Sequence, residues 1–379
     1  MTPSYSLKDL CIYFLKLGTL GFGGPVALVG YMHRDLVLEK KWISEDDYRE
    51  GMALSQLAPG PLAAQLGIYI GYVHYSLLGA TLAGTAFVLP SFLMVIAIGW
   101  AYTAYGGLPW MQAVFYGVGA AVIGIISISS YKLTTKSIGK DFLLWVIFGV
   151  LALTTFWFEQ EIISLILLGG VAVWLVKAPP SWLKFSANSY LPVILTQAQS
   201  VSFGTELWQI AWFFTKAGAF VFGSGLAIVP FLYGGVVKEY GWLNEQEFVD
   251  AVAVAMITPG PVVITVGFIG YLVAGFWGAV VAALATFLPC YIFTVVPAPY
   301  FKKYGKHPAI KAFVDGVTAA AIGAIAGAVI VIGQRTITDL PMLLIALSSA
   351  AVLLRFKKLQ EPYVIIVAAL AGIILKIIL

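Results

Sequence analysis

This 379-residue sequence has little charge. Charged residues make up 11% of it, with 18 acids, 22 Lys and Arg, and a net charge of +4, whereas soluble domains carry about 25%. So few charges cannot cover the surface of a soluble protein, and no basic patch stands apart from the apolar segments. A cytosolic enzyme, a disordered protein and a nucleic-acid-binding protein are therefore excluded.

Cysteine and histidine are also scarce. Cys11 and Cys290 both lie in apolar runs, and His33, His74 and His307 are far apart in the chain. A disulfide scaffold needs more cysteines, and no Cys/His spacing typical of a metal site occurs. We therefore expect no cofactor and no metal ion.

Apolar sequence is what the chain has in excess. Hydrophobic residues make up 60% of it, against about 45–50% in soluble domains, and mean hydropathy is +0.93. Because one helical span needs about 20 apolar residues, this content predicts an all-α polytopic membrane protein with on the order of ten crossings of a lipid bilayer. The first apolar segment lacks a basic n-region and a small-residue cleavage site, so we expect it to be retained.

An internal duplication organises the chain. At an offset of 200, Pro59-Gly60-Pro61 recurs as Pro259-Gly260-Pro261, and after one deletion Leu89-Pro90 recurs as Leu288-Pro289. A Lys, a Trp and a Glu also match in register, which apolar bias alone does not reproduce. The predicted organisation is a first repeat at 1–177, a linker at 178–204 and a second repeat at 205–379.

Each repeat contains five apolar segments. The runs at 62–104 and 261–299 are too long for one span, so each is expected to fold back or break. The predicted segments are 9–31, 62–104, 111–131, 142–158, 162–177, 209–232, 261–299, 312–333, 340–354 and 362–379.

Loop charges predict that the repeats are inverted. Three lysines at 132–140 follow the 111–131 segment, whereas four at 302–311 precede its counterpart at 312–333. Because short loops rich in Lys and Arg stay in the cytoplasm, equivalent loops face opposite sides. Two inverted-topology repeats with broken helices meeting at the membrane midplane are typical of secondary transporters. The alternative is a parallel duplication whose loop charges carry no signal.

Glycine and proline interrupt both repeats inside or beside apolar segments. A half-helix that begins after such a break starts with N–H groups that lack an acceptor, and its positive dipole end attracts an anion. The alternative is a kink that serves only packing. The substrate-binding residues predicted at the four breaks are Gly23, Gly24, Pro25, Val26, Pro59, Gly60, Pro61, Gln65, Gly223, Ser224, Gly225, Pro259, Gly260 and Pro261.

Two lysines lie inside apolar segments at equivalent positions. Lys16 and Lys216 each precede a break by a few residues, and a Lys at the bilayer centre costs about 2.5–3.5 kcal/mol. They are predicted counter-charges for an anionic substrate, and the alternative is that they snorkel to the interface. No Asp or Glu is expected at mid-span, so an anion fits this core better than a metal cation.

At these residues the sequence resembles the chromate transporter family, in its long-chain form with two homologous halves. The second half departs from the family pattern, because Ser224-Gly225 replaces Gly-Pro. The resemblance implies roles for the glycines and prolines at 23–25 and 59–61, with chromate, or in some members sulfate, as the substrate. The motifs that carry it are Phe22-Gly23-Gly24-Pro25, Met32-His33-Arg34, Lys41-Trp42-Ile43, Pro59-Gly60-Pro61 with Gln65, Ile68-Tyr69-Ile70-Gly71 and Phe87-Val88-Leu89-Pro90.

The function expected is export of chromate, a tetrahedral dianion, across a bacterial or archaeal inner membrane, which would confer chromate resistance. Outward movement of two negative charges across 100 mV is favourable by about 4.6 kcal/mol. One alternative is uptake of sulfate or another oxyanion. Another is a membrane-embedded enzyme, for which the sequence offers no catalytic constellation. Either a monomer or a homodimer fits the sequence.

Cysteine labelling tests the inverted arrangement. Single cysteines placed at Gly106 and at Gly305 should react with an impermeant reagent from opposite sides of the membrane, since the loops at 105–110 and 300–311 are predicted to be periplasmic and cytoplasmic. Labelling of both positions from the same side would contradict the inverted repeat.

Overall fold

A computed structural model describes residues 5–22, 24–105, 109–159, 162–179, 206–220, 228–304, 307–356, 359 and 361–378. All regular secondary structure in these residues is helical, which confirms the all-α prediction. Almost all of the predicted linker at 178–204, and the break predicted at 223–225, lie outside them. The proposed boundaries of the repeats stay predictions.

Each helix of the first half has a counterpart in the second, where two helices, Thr265–Val295 and Ala298–Tyr304, together match Leu62–Tyr105. Helices α2 and α9 each continue into a π-helix, His33–Glu39 and Tyr233–Glu239, and Val262–Ile264 forms a 3-10 turn before α11. The helices are α1 Leu7–Leu20, α2 Gly24–Met32, α3 Glu45–Leu57, α4 Leu62–Tyr105, α5 Pro109–Ser137, α6 Phe142–Phe158, α7 Ile163–Lys177, α8 Glu206–Phe220, α9 Ile228–Leu232, α10 Glu245–Ile257, α11 Thr265–Val295, α12 Ala298–Tyr304, α13 Pro308–Thr336, α14 Leu340–Arg355 and α15 Glu361–Ile378.

Both over-long apolar runs fold back on themselves, as predicted. The backbone leaves helical geometry at Ser76 in α4 and at the equivalent Gly275 in α11. A Cβ added to Gly71 would collide with the carbonyl oxygen of Gly79, eight residues later, which a straight helix would hold about 12 Å away. Each run is therefore a helical hairpin with a short arm before the turn and a long arm after it.

The start of the first half and the turn of its hairpin lie at the same end of the molecule. Tyr5 stacks on Trp42, which precedes α3, with ring centroids 4.7 Å apart, and its hydroxyl lies 2.8 Å from Nδ1 of His74. The chain therefore enters through α1 and returns through α2, then enters again through α3 and returns through the short arm of α4. The breaks between these helices lie at depth.

The two halves run in opposite directions, as predicted. The Thr81 hydroxyl, just past the turn of α4, lies 2.8 Å from the hydroxyl of Tyr291 near the end of α11. At the opposite end, a Cβ on Gly99 would lie 2.9 Å from the Tyr271 ring. The long arms of α4 and α11 are therefore antiparallel, and their turns lie at opposite ends of the molecule.

The last helices of each half pack on the other half. Helix α5 of the first half contacts α14 and α15, and α13 of the second half contacts α6 and α7 in the same way. Close approach is possible because glycines face backbone at these crossings: Gly124 faces Ala346 and Gly323 faces Phe148. Neither half forms a separate bundle, because helices of each half pack against helices of the other.

An apolar exterior supports placement of this protein in a membrane. Four stretches are long and apolar enough to cross one, Leu62–Tyr105, Pro109–Thr135, Val262–Phe301 and Pro308–Thr336. The side chains of Trp157, Leu153 and Val367 are 66–80% exposed, on a scale that soluble monomers avoid.

Candidate functional site

The first break separates α1 from α2. Helix α1 ends at Leu20, where the N–H of Gly21 donates to the carbonyl of Leu17, and α2 begins at Gly24-Pro25. Gly23 lies outside the described residues, as do its predicted counterparts Gly223, Ser224 and Gly225. The predicted break at Gly24-Pro25 is confirmed.

The second pair of breaks falls where the sequence places it. Helices α3 and α10 end at Leu57 and Ile257, and Pro59-Gly60-Pro61 and Pro259-Gly260-Pro261 follow. Gly60 has φ +141° and Gly260 has φ +97°, backbone conformations that residues other than glycine rarely adopt. The glycine between the two prolines is therefore required by the backbone in both halves.

Breaks from different halves meet. The N–H of Gly260 donates to the carbonyl oxygen of Gly21 over 3.0 Å. A Cβ on Gly260 would lie 2.8 Å from Oγ of Ser91, and one on Gly60 would lie 3.0 Å from Sγ of Cys290. Ser91 and Cys290 are equivalent residues, each following a proline inside a long arm. The Pro-Gly-Pro break of each half therefore contacts the long arm of the other.

Polar groups lie close together at the Pro59-Gly60-Pro61 break. Gln65 is fully buried, and its Nε2 donates to the carbonyl of Pro59 over 2.8 Å. Its Oε1 is buried and has no donor among the described residues. The first helical bond of α4 is that of the Gln65 N–H to the Pro61 carbonyl, so the N–H groups of 62–64 have no acceptor in the preceding turn. Backbone donors and an amide thus line the break.

The second half offers a different set of groups. Thr265 stands in the position of Gln65, and its hydroxyl donates to the carbonyl of Val262 over 2.8 Å. The turn after Pro261 is 3-10 rather than α-helical. The site therefore repeats the Pro-Gly-Pro break but differs between the halves in the turn that follows and in the side chains.

The two lysines do not join the breaks. Lys16 is exposed, on the face of α1 opposite the buried residues Phe14 and Gly18. Lys216 is half-buried, with its ammonium 5.7 Å from the centre of the Trp212 ring, and Trp212 is itself exposed. This placement favours the snorkelling alternative, and the counter-charge role stays a prediction.

One acid is buried inside the protein near the start of a helix, and the expectation that no acid lies at mid-span stays a prediction. Asp250, in the second turn of α10, is 3% exposed. Its Oδ2 accepts from the Tyr102 hydroxyl and its Oδ1 from Nε2 of Gln246, each over 2.8 Å. The burial of Asp250 depends on packing against the first half, which a helix start rich in acids does not indicate. The available signal is that Asp250 is the only charged residue in the otherwise apolar stretch 248–257.

A charged cluster lies at the same end of the molecule. Arg335 donates to Glu245 over 2.5 Å and also bonds Glu159 from the first half, and Lys238 lies 2.9 Å from Glu159. The hydrogen bonds from Arg335 and Lys238 hold the pKa of Glu159 below its usual range. A cavity of about 440 Å³ adjoins the cluster and is lined by Gln246, Arg335 and Tyr116 among others.

Comparison with known proteins assigns the chain. The profile of the family described as "Chromate transporter" matches twice, at residues 8–174 and at 208–373. The chain belongs to the chromate transporter family. It is 67% identical to the chromate transport protein of Cupriavidus metallidurans and 65% identical to the probable chromate transport protein of Synechococcus elongatus, covering 98% of this chain and 94% and 96% of theirs. No solved structure matches it.

A more distant family member spans almost the same length. The chromate transport protein of Pseudomonas aeruginosa is 32% identical over 98% of this chain and 92% of its own. The paired breaks and the hairpins described above fall inside the two regions that the chromate transporter profile matches. The family is one of transporters, so this chain is a transporter and not an enzyme.

A methyl group at Gly260 tests the contact between the halves. In Gly260→Ala the new Cβ meets Ser91, so we expect a loss of about 1–3 kcal/mol of stability in thermal unfolding of the purified protein. Gly241→Ala is the matched control, since Gly241 also has positive φ but nothing within 4 Å. Adding Ser91→Gly should restore part of the loss. An equal loss in both single variants would contradict the contact.

Proposed function

We propose that this protein carries chromate across the membrane through the space where the broken helices meet. The observation that supports this most directly is the juxtaposition of the breaks: Gly260 bonds Gly21 across the halves, and Gln65 is buried beside Gly60. Relatives at 65–67% identity are named as chromate transport proteins, and the residue types at the breaks suit their substrate.

The chemistry of the site fits a tetrahedral oxyanion. Chromate offers only acceptors when it is a dianion, and the N–H groups of 62–64 together with the second hydrogen of Gln65 Nε2 are donors. Half-helix N-termini that point at an anionic substrate are a recurring device in transporters. The unpartnered Oε1 of Gln65 suits a water molecule or the hydroxyl of a protonated oxyanion. The proposed substrate-binding residues remain those predicted from the sequence.

Export across an inner membrane is the direction we propose. Lysines gather at the end of α5 and just after it, at 132–140, and around α12, at 302–311, which supports a cytoplasmic location for that side. A potential that is negative inside drives a dianion outward, by about 2.3 kcal/mol per charge and 100 mV. Chromate resistance would follow from that efflux. Sulfate is the second candidate substrate, because it has the same shape and charge. We also propose that the exposed apolar helices lie in the lipid bilayer. A homodimer is one assembly that this protein could form there.

Flux measurements test substrate and direction together. Purified protein in vesicles, sorted by orientation and with the potential clamped, should move labelled chromate faster than sulfate and toward the positive side. The control is Gly241→Ala, which alters neither break. Transport of sulfate alone would show that sulfate, and not chromate, is the substrate. Flux of neither anion would refute the proposal.

The lysines are tested by binding. If an ammonium balances the charge of the dianion, Lys→Met should lower chromate affinity roughly ten- to a hundredfold, the worth of a desolvated charge-assisted hydrogen bond, whereas Lys→Arg retains most of it. The Gly24-Pro25 break beside Lys16 predicts the larger effect there, whereas the deeper burial of Lys216 favours Lys216, and the two Met variants decide between them. Chromate-dependent thermal stabilisation measures the affinity. Shifts of wild-type size in both Met variants would leave snorkelling as the role of these lysines.

A further inference from the structure

Asp250 is the only buried acid in the described part of the chain. The partners of its two oxygens are neutral donors, the Tyr102 hydroxyl and the Gln246 amide. No ion pair to Asp250 forms within the described residues. Burial disfavours the charged form of a carboxyl, and the two neutral donors offset that cost only in part, since no cation balances the charge.

The surroundings of Asp250 reach water without exposing the carboxyl itself. Gln246 is exposed and lines the 440 Å³ cavity, while its amide touches Asp250 one turn further in. Tyr102 belongs to the first half and Asp250 to the second, so the hydrogen bond between them joins the two halves. A change in the relative position of the halves would alter the environment of this carboxyl.

Most charged groups near Asp250 form ion pairs or hydrogen bonds with one another. Glu247 on the same helix adds a like charge nearby. Several titratable groups on the elements packed against α10 have partners of their own. They include Arg335, paired with Glu159 and Glu245; Lys238, paired with the same acids; Tyr233, bonded to Glu245; Tyr116, bonded to Asp339; Lys376, over the Tyr116 ring; and Tyr271, against Gly99. The same elements also carry Glu239, Lys311, Asp315, Tyr131, Lys132, Glu361 and Tyr363.

Asp250 lies on the helix that leads into the Pro-Gly-Pro break of the second half, one of the breaks at which an anion is proposed to bind. Eight residues of α10 separate it from Thr258 at the start of the Pro-Gly-Pro break, which is about 12 Å along the helix. At an effective dielectric constant of about 20, a dianion at that distance favours protonation of a carboxyl by roughly a hundredfold. By reciprocity, the proton favours binding of the dianion by the same factor.

We propose that Asp250 is a proton-binding site whose occupancy is linked to binding of the substrate oxyanion. The proton reaches the carboxyl from the cavity beside Gln246, and its arrival removes the negative charge that would oppose a dianion at the nearby break. The linkage to an oxyanion rests on the proposed function, whereas the proton site itself does not.

Two measurements on the purified full-length protein separate these parts. Infrared spectroscopy without substrate should detect the C=O stretch of a protonated carboxyl, and that band should be absent in Asp250→Asn and present in the control Asp46→Asn, whose Asp is exposed. At a pH where that band has fallen to half its full height, addition of chromate adjusted to the same pH should cause net proton uptake, read with a glass electrode, in the wild type and in Asp46→Asn. Asp250→Asn should bind chromate without that uptake.

The outcomes are distinct. A carboxyl band in Asp250→Asn equal to that of the wild type would overturn the proton site. Proton uptake of wild-type size in Asp250→Asn would overturn the linkage. A band that depends on Asp250, in a protein that chromate does not stabilise, would refute chromate as the substrate and leave the proton site standing.

A second variant keeps the test decisive if Asp250→Asn fails to fold. Tyr102→Phe retains the carboxyl but removes a donor to its charged form, so the carboxyl should hold its proton to higher pH. The midpoint at which chromate affinity falls with rising pH should move upward, while the total fall stays near a hundredfold. An unchanged midpoint would contradict the proposal, because a purely structural Tyr102 would not tune it.

Discussion

The need to satisfy backbone polar groups away from water constrains this whole structure. Non-helical backbone at membrane depth is tolerated only where protein covers it or where it lines a cavity. This chain breaks its helices at depth, and the broken ends of one half are covered by the other. The hydrogen bond from Gly260 to the carbonyl of Gly21 is the clearest case, and the absence of a side chain at Gly60 and Gly260 permits the contact.

The exchange of helices between the halves follows from the same constraint. A half that packed only on itself would leave its breaks facing lipid. Instead α5 packs on α14 and α15 while α13 packs on α6 and α7, which brings the two hairpins together at the centre. Helix crossings at which glycine faces backbone make this possible without a strong hydrophobic force between helices, since lipid is as apolar as the side chains.

Sequence reasoning reached the backbone of the site better than its side chains. The breaks at 24–25, 59–61 and 259–261, the ends of α3 and α10, and the folding of both long runs were predictable, because Gly, Pro and capping residues act locally. The contacts of Ser91 and Asp250 were not, since they depend on how antiparallel arms meet across the halves. A helix start rich in acids reads as solvated until the tertiary fold buries one of them.

Divergence between the halves is where the chemistry of this transporter lies. The duplicated backbone places a Pro-Gly-Pro break against a long arm twice, yet the side chains at equivalent positions differ. Gln65 of the first half is equivalent to Thr265 of the second, and Ser91 is equivalent to Cys290. Asp250 aligns with Glu50, which bonds Tyr69 inside its own half, whereas Asp250 bonds Tyr102 of the other half. An inverted pair of identical halves would present equal sites to both sides of the membrane and carry no preference between them. Unequal side chains on similar scaffolds would give the two faces different affinities for the proposed anion and proton, whereas the net direction of transport would still be set by the membrane potential.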